Sequence, residues 1–177
     1  MKAKTLLEKD KFSITLKRLA HQLIEVHDDF SHSVIIGLQP RGIYLANRIQ
    51  SELQQILRIK KIHCGALDTT FHRDDFRKKE LIPNRTNIDF VIEDKNVILV
   101  DDVLFTGRSV RAGLDALLVY GRPRDIELMV LVDRRFSRHV PIQAKYTGIT
   151  VDSIATQNVN VEWKEIDGRD KVTLVDK

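Results

Sequence analysis

At 177 residues, 42% of them hydrophobic and 31% charged, the chain has the composition of an ordinary globular protein able to bury a proper core, and one domain spanning 1–177 is expected. The 29 basic residues outnumber the 25 acidic ones by four, a modest excess that suits anionic ligands without singling one out. The lone Cys64 excludes an internal disulfide and fits a reducing cytoplasm; no paired His/Cys spacing for zinc occurs, the first residues run to Glu8 and Asp10 without an apolar core, and no apolar run approaches ~18 residues, so neither signal peptide nor membrane span is expected.

Ser13 reads as the N-cap of a first helix reaching about Val26. Leu16, Leu19, Ala20, Leu23 and Ile24 fall on one side of it, and Lys17, Arg18, His21, Gln22 and Glu25 on the other, a solvated face that could also meet nucleic acid. Ser33 to Leu38 reads as a buried strand. It is followed by Gln39-Pro40-Arg41-Gly42 and a helix with Ile43, Ala46, Ile49, Leu53, Ile56 and Leu57 on its apolar side. An arginine in a strand-to-helix turn fits an anion site at a topological switch point, although Pro40 and Gly42 are equally the residues of a plain turn. Ile59 to Leu67 alternates weakly as a further strand. The charged stretch from Asp68 to Asn87 has no period; it reads as a long functional loop whose Arg73, Arg77, Lys78 and Lys79 can reach a polyphosphate. Ile88 to Ile92 is expected to be a short strand.

The organising stretch follows. Asn96 leads into Val97-Ile98-Leu99-Val100, the pattern of a strand buried on both faces. Two carboxylates, Asp101 and Asp102, are expected at its carboxyl end. Val103-Leu104-Phe105-Thr106-Gly107-Arg108-Ser109 then turns into a helix running from Gly107 to Tyr120, with Val110, Gly113, Leu114, Leu117 and Leu118 packed inward. A helix N-terminus offers free N–H groups and the positive end of a dipole to a phosphate, Thr106 and Ser109 add hydroxyls, and Gly107 lets the backbone come close. The aspartates suit neutral hydroxyls, or a cation held by those hydroxyls. A phosphate beside a diol is a ribose 5-phosphate. An ATPase reading needs a G-x-x-x-x-G-K-[ST] loop and a dinucleotide site needs G-x-G-x-x-G; the chain has neither. Gly121-Arg122-Pro123 ends the helix, Ile126 to Val132 reads as another buried strand closing with Asp133-Arg134, and alternating strands and helices imply a parallel sheet with crossover helices. Val159 to Trp163 and Val172 to Val175 read as a hairpin turning near Asp167-Gly168, a small antiparallel addition.

The stretch from Val97 to Leu117 resembles the phosphoribosyl-diphosphate motif of type I phosphoribosyltransferases, and most of all the pyrimidine-operon regulators that are also uracil phosphoribosyltransferases. The resemblance extends over nearly the whole chain. It implies an α/β fold, a parallel sheet flanked by helices with a small antiparallel hood and a flexible loop. It implies transfer of ribose 5-phosphate from phosphoribosyl diphosphate to uracil, with magnesium as cofactor. Asp101 and Asp102 would bind the ribose hydroxyls and hold magnesium indirectly, and Leu104 to Ser109 would bind the 5-phosphate. Arg41, Gly42 and Arg73 would contact pyrophosphate, and Arg134 would stand at the base-side edge. The partners implied are phosphoribosyl diphosphate, uracil or UMP, an mRNA leader and further copies of the chain in a homodimer or larger assembly. The chain departs from the family pattern after Asp133-Arg134: Gln143 stands where an arginine is usual and Ile149 where a lysine is usual, each removing a possible phosphate contact with RNA. A nucleotide-sensing RNA-binding regulator without catalysis, and a purine phosphoribosyltransferase, remain the alternatives.

Overall fold

The computed structural model describes residues 3–74, 83–154 and 156–176. In chain order the elements are β1 (Ala3–Glu8), α1 (Lys9–His27), β2 (Ser33–Leu38), α2 (Gly42–Leu57), β3 (Cys64–Leu67), β4 (Asn96–Leu104), α3 (Arg108–Leu117), β5 (Asp125–Arg135), β6 (Tyr146–Asp152), β7 (Gln157–Glu162), α4 (Lys164–Asp167) and β8 (Lys171–Asp176). Five strands pair in the order β3-β2-β4-β5-β6, every ladder parallel. The other three form an antiparallel sheet in the order β1-β8-β7.

The apolar runs explain the centre of the parallel sheet. Every residue of β2 is buried, and Val97 to Val100 of β4 are fully so. Side chains alternate across a strand, so one run feeds two cores. Ile35, Ile98 and Val100 face α1 and α2 together with Leu19, Leu23, Leu45 and Ile49. Val34, Ile36, Val97 and Leu99 face α3 with Val110 and Leu117. The chain goes from β2 outward to β3, then returns to the other side of β2 as β4. The strand order therefore reverses between β2 and β4, and their carboxyl ends open a crevice there.

Several expectations are corrected. The first helix starts at Lys9, with Glu8 at its N-cap, so Ser13 lies inside it. The third strand is confined to Cys64–Leu67, and in place of a strand at Ile88–Ile92 there is only a bridge between Asn87 and Ala66. Cys64 is half-buried on that edge strand, its Sγ 3.7 Å from Asn47 Oδ1. The α3 helix ends at Leu117, leaving Leu118 59% exposed rather than packed inward. Trp163 lies beyond the hairpin strand, and α4 replaces a simple turn between β7 and β8. Among the described residues no helix is long and apolar enough to cross a membrane.

Candidate functional site: a carboxylate pair and a phosphate cradle at the sheet's carboxyl edge

β4 does not stop before its two carboxylates. Pairing with β5 continues through Asp101 opposite Val130 to Leu104 opposite Asp133. Because the strand carries on, Asp101 and Asp102 leave it toward opposite faces. Asp101 shares a side with Val97 and Leu99 and lines a cavity of about 250 Å³ in front of α3. Asp102 shares a side with Ile98 and Val100 and meets the start of α2, where Arg41 Nε donates to its Oδ2 over 3.3 Å. The Asp102 backbone N–H donates to Asp101 Oδ1 over 2.9 Å and steadies the first carboxylate. Burial, reinforced by the neighbouring charge of Asp102, pushes the Asp101 carboxyl well above the usual carboxylate range; Arg73 opposes that shift. Burial also raises Asp102, against the pull of Arg41.

The same cavity is lined by Arg73, Asp74 and every residue from Val103 to Val110. Gly107 takes φ +85°, a left-handed conformation that favours glycine, and forms the N-cap of α3. Its carbonyl accepts the first helical bond from Arg111 N–H at 2.9 Å. Thr106 Oγ1 lies 3.4 Å from the Arg108 N–H at the head of the helix. Arg108 itself turns aside, donating to Asp74 and to His139 Nδ1.

On the other side of the crevice the turn after β2 carries Arg41 and Gly42, with the Gln39–Pro40 bond cis. A Cβ on Gly42 would lie 2.4 Å from the Val100 carbonyl oxygen and 2.9 Å from Asp101 Cα, so glycine is what lets the head of α2 touch β4. Arg41 is shared: besides Asp102, its Nη2 donates to the Val161 carbonyl and to Asp167 Oδ2 at 3.2 Å. Arg134 is buried behind the cradle. Its Nε donates to Ser153 Oγ at 2.9 Å, its Nη2 to the Gln157 carbonyl at 2.7 Å, and its guanidinium lies 3.9 Å from the centre of the Phe105 ring. Beyond that ring Phe105, Phe136, Ser137, His139, Asp152, Ser153 and Ile154 line a second, more apolar hollow of about 560 Å³.

Arg73, Asp101 and Leu104 to Ser109 thus meet in one cavity; Asp102, Arg41 and Gly42 stand at its flank, and Arg134 supports it from behind. Arg77, Lys78 and Lys79 lie outside the described residues. Sequence reasoning missed Asp167, read there only as part of a turn, and Asp74, Phe136 and His139. None of these carries a local pattern that marks it; the fold recruits Asp74 from the segment after β3, Phe136 and His139 from the loop after β5, and Asp167 from the end of α4.

A parallel sheet with its crevice at the β2/β4 switch point, an acidic pair on one strand and a glycine-capped helix N-terminus beside it define the class. The chain belongs to the phosphoribosyl transferase domain family, whose model matches residues 2–166. It is similar to Bifunctional protein PyrR of Clostridioides difficile strain 630, 41% identical over 171 residues covering 96% of each chain. It is 47% identical to the Desulfosudis oleivorans protein of the same name over 161 residues, covering 90% of this chain and 88% of that one. Solved structures share the fold at lower identity. A hypoxanthine-guanine phosphoribosyltransferase from Bacillus anthracis matches with TM-score 0.69 at 18% identity over 99% of both chains. A hypoxanthine phosphoribosyltransferase from Trypanosoma cruzi in complex with the product IMP matches with TM-score 0.74 at 14% identity, covering 98% of this chain and 94% of that one.

Proposed function

We propose that this protein transfers ribose 5-phosphate from phosphoribosyl diphosphate to uracil, releasing pyrophosphate and forming UMP. The observation that carries this reading is the carboxylate pair straddling the end of β4 beside a glycine-led helix N-terminus, in a chain closely related to PyrR proteins. The 5-phosphate binds the amides and hydroxyls from Leu104 to Ser109. Asp101 and Asp102 accept the ribose hydroxyls, and Arg41, Gly42 and Arg73 receive the pyrophosphate. The base lies beyond Phe105, with Arg134 bracing that ring. Bond cleavage at the anomeric carbon develops oxocarbenium character, so the chain's contribution is to clamp the sugar, stabilise the leaving group and exclude water. No covalent nucleophile is required.

The donor set fits magnesium. Two adjacent carboxylates, one raised strongly by burial and further by its neighbour's charge, favour a nearby cation. Among the described residues no cluster of three or more His, Cys, Asp or Glu forms a protein-only cage, as suits an ion held mainly by substrate oxygens and water. When bound, magnesium would neutralise charge building on the pyrophosphate. The test is pyrophosphate release with magnesium across uracil, hypoxanthine, guanine, adenine and orotate. Turnover with uracil alone supports the reading; turnover with a purine alone replaces its base, and silence with every base removes the enzyme.

A second activity is favoured by the outward face of α1, where Lys17, Arg18 and His21 are exposed: regulation of pyrimidine genes by binding an mRNA leader in response to UMP. Arg18 already spends hydrogen bonds on the Thr147 and Gly148 carbonyls, so that face is ordered against β6. Leader binding that steepens with falling salt and tightens with UMP is expected; no binding at low salt removes this activity. The protein works in the cytoplasm as one domain per chain, in a homodimer or larger assembly.

A further inference from the structure

The cradle has a back as well as a front. Three successive carbonyls, those of Leu104, Phe105 and Thr106, are all held by one segment, Arg138 to Val140, none of which lines the cavity. Arg138 Nη1 donates to the Leu104 carbonyl over 3.2 Å and also to that of Phe105. The Thr106 carbonyl accepts from the N–H groups of His139 at 2.9 Å and Val140 at 3.2 Å. The rest of the Arg138 guanidinium ties this segment to itself and to β5: Nη1 reaches the Arg134 carbonyl at 2.9 Å, Nε the Ile142 carbonyl at 3.1 Å, and Nη2 the Asp133 carboxylate.

In a trans peptide the carbonyl and the following N–H point in opposite directions. A carbonyl fixed at the back therefore fixes the next residue's N–H at the front. We infer that Arg138 is a positioning residue for phosphate binding: by anchoring the Leu104 and Phe105 carbonyls it aims the Phe105 and Thr106 amides into the cradle, while the His139 and Val140 amides do the same for Gly107. This rests on the reading of that cavity as a phosphate site. Asp133 matches the charge of Arg138, so it acts by orientation rather than by adding positive potential. Lysine cannot replace it, because its three donors radiate from one atom whereas the planar fork spans acceptors on both loops. The same side chain makes the floor under Phe105 and the segment bearing Phe136 and His139 one unit, so the phosphate and base sides of the site are mechanically joined.

The test compares dissociation constants of UMP and uridine, by calorimetry, for the wild-type protein and for R138M and R138K. A merely structural arginine would weaken both ligands alike, whereas one that aims the cradle affects only the ligand carrying a phosphate. In R138M, UMP binding is expected to weaken by about tenfold or more with uridine within about twofold, and the KM for phosphoribosyl diphosphate to rise in parallel. R138K should show the same selective loss to a smaller degree, and serves if R138M does not fold. Equal losses for the two ligands, or unchanged UMP affinity in either folded variant, overturn the role of Arg138 and leave the cradle in place. A wild-type protein that binds UMP no better than uridine overturns the cradle itself, and this inference with it.

Discussion

Asp101 and Asp102 are adjacent in sequence yet belong to different surroundings, one against the cradle and one against Arg41. Asp102→Asn keeps the shape and removes the charge that faces Arg41 and, on the proposed reading, the sugar. It is expected to lower kcat by about a hundredfold or more, while thermal unfolding moves by only a few degrees; near-wild-type turnover would remove Asp102 from the site. Asp101 gives a prediction about pH. Its folded carboxyl is raised above its unfolded value, so the ionised form burdens the folded state at neutral pH, and that burden vanishes once both states are protonated. Asp101→Asn should therefore melt a few degrees higher than wild type near pH 8, with the gain shrinking as the pH falls toward ~4. A gain that grows on acidification would contradict the assigned shift.

At the scale of elements, the meeting of α2 with β4 depends on a residue without a side chain. Gly42→Ala would drive a methyl group into the Val100 carbonyl, a backbone atom that cannot swing away. The expected cost is about 1–3 kcal/mol, read as a lowered Tm, together with a raised KM for phosphoribosyl diphosphate as Arg41 is displaced. Strands such as β2 and β4 were legible because burial on both faces writes an unbroken apolar run. β1 and β6 were not. β6 is an edge strand whose Thr147, Gly148 and Thr150 interrupt any run, and β1 finds its partner only at the other end of the chain, Ala3 against Val175. The expected strand at Ile88–Ile92 had the right residues, but those apolar side chains serve as plugs: Ile92 is fully buried under the β2–β4 face without a ladder to join. The cradle was legible because strand, turn glycine and helix head are contiguous in sequence. Asp167 and Arg138 were not, since their partners lie 126 and 34 residues away.

For the molecule as a whole, Trp163 ties the antiparallel sheet to the helices that cover the parallel one, alongside Leu7, Val161 and Val172. It is fully buried, edge-on to Phe12 of α1 with centroids 5.5 Å apart and stacked near Tyr44 of α2 at 6.2 Å. Trp163→Ala should cost about 3–5 kcal/mol and lower the melting temperature accordingly. Trp163→Phe should cost clearly less, because the indole Nε1 is a buried donor with no partner among the described residues and its removal relieves that penalty. If phenylalanine proves as damaging as alanine, the ring's size rather than its apolar character holds the sheets together. Arg41 adds a polar tie between the same bodies, reaching Val161 and Asp167 from the turn after β2.

Cys64 turns the edge of the parallel sheet into its own reporter. Burial pushes its thiol up to about 12, so at neutral pH almost none of it is the reactive thiolate while β3 stays paired with β2. A thiol reagent should therefore label the folded chain far more slowly than an unfolded one, and faster whenever that strand loosens. As the sole sulfhydryl in the molecule, it yields one unambiguous clock for the opening of the strand that leads, through Leu67 and Asp68, to Arg73. Labelling that slows when phosphoribosyl diphosphate is added would time the quieting of this edge by substrate, without a single engineered residue.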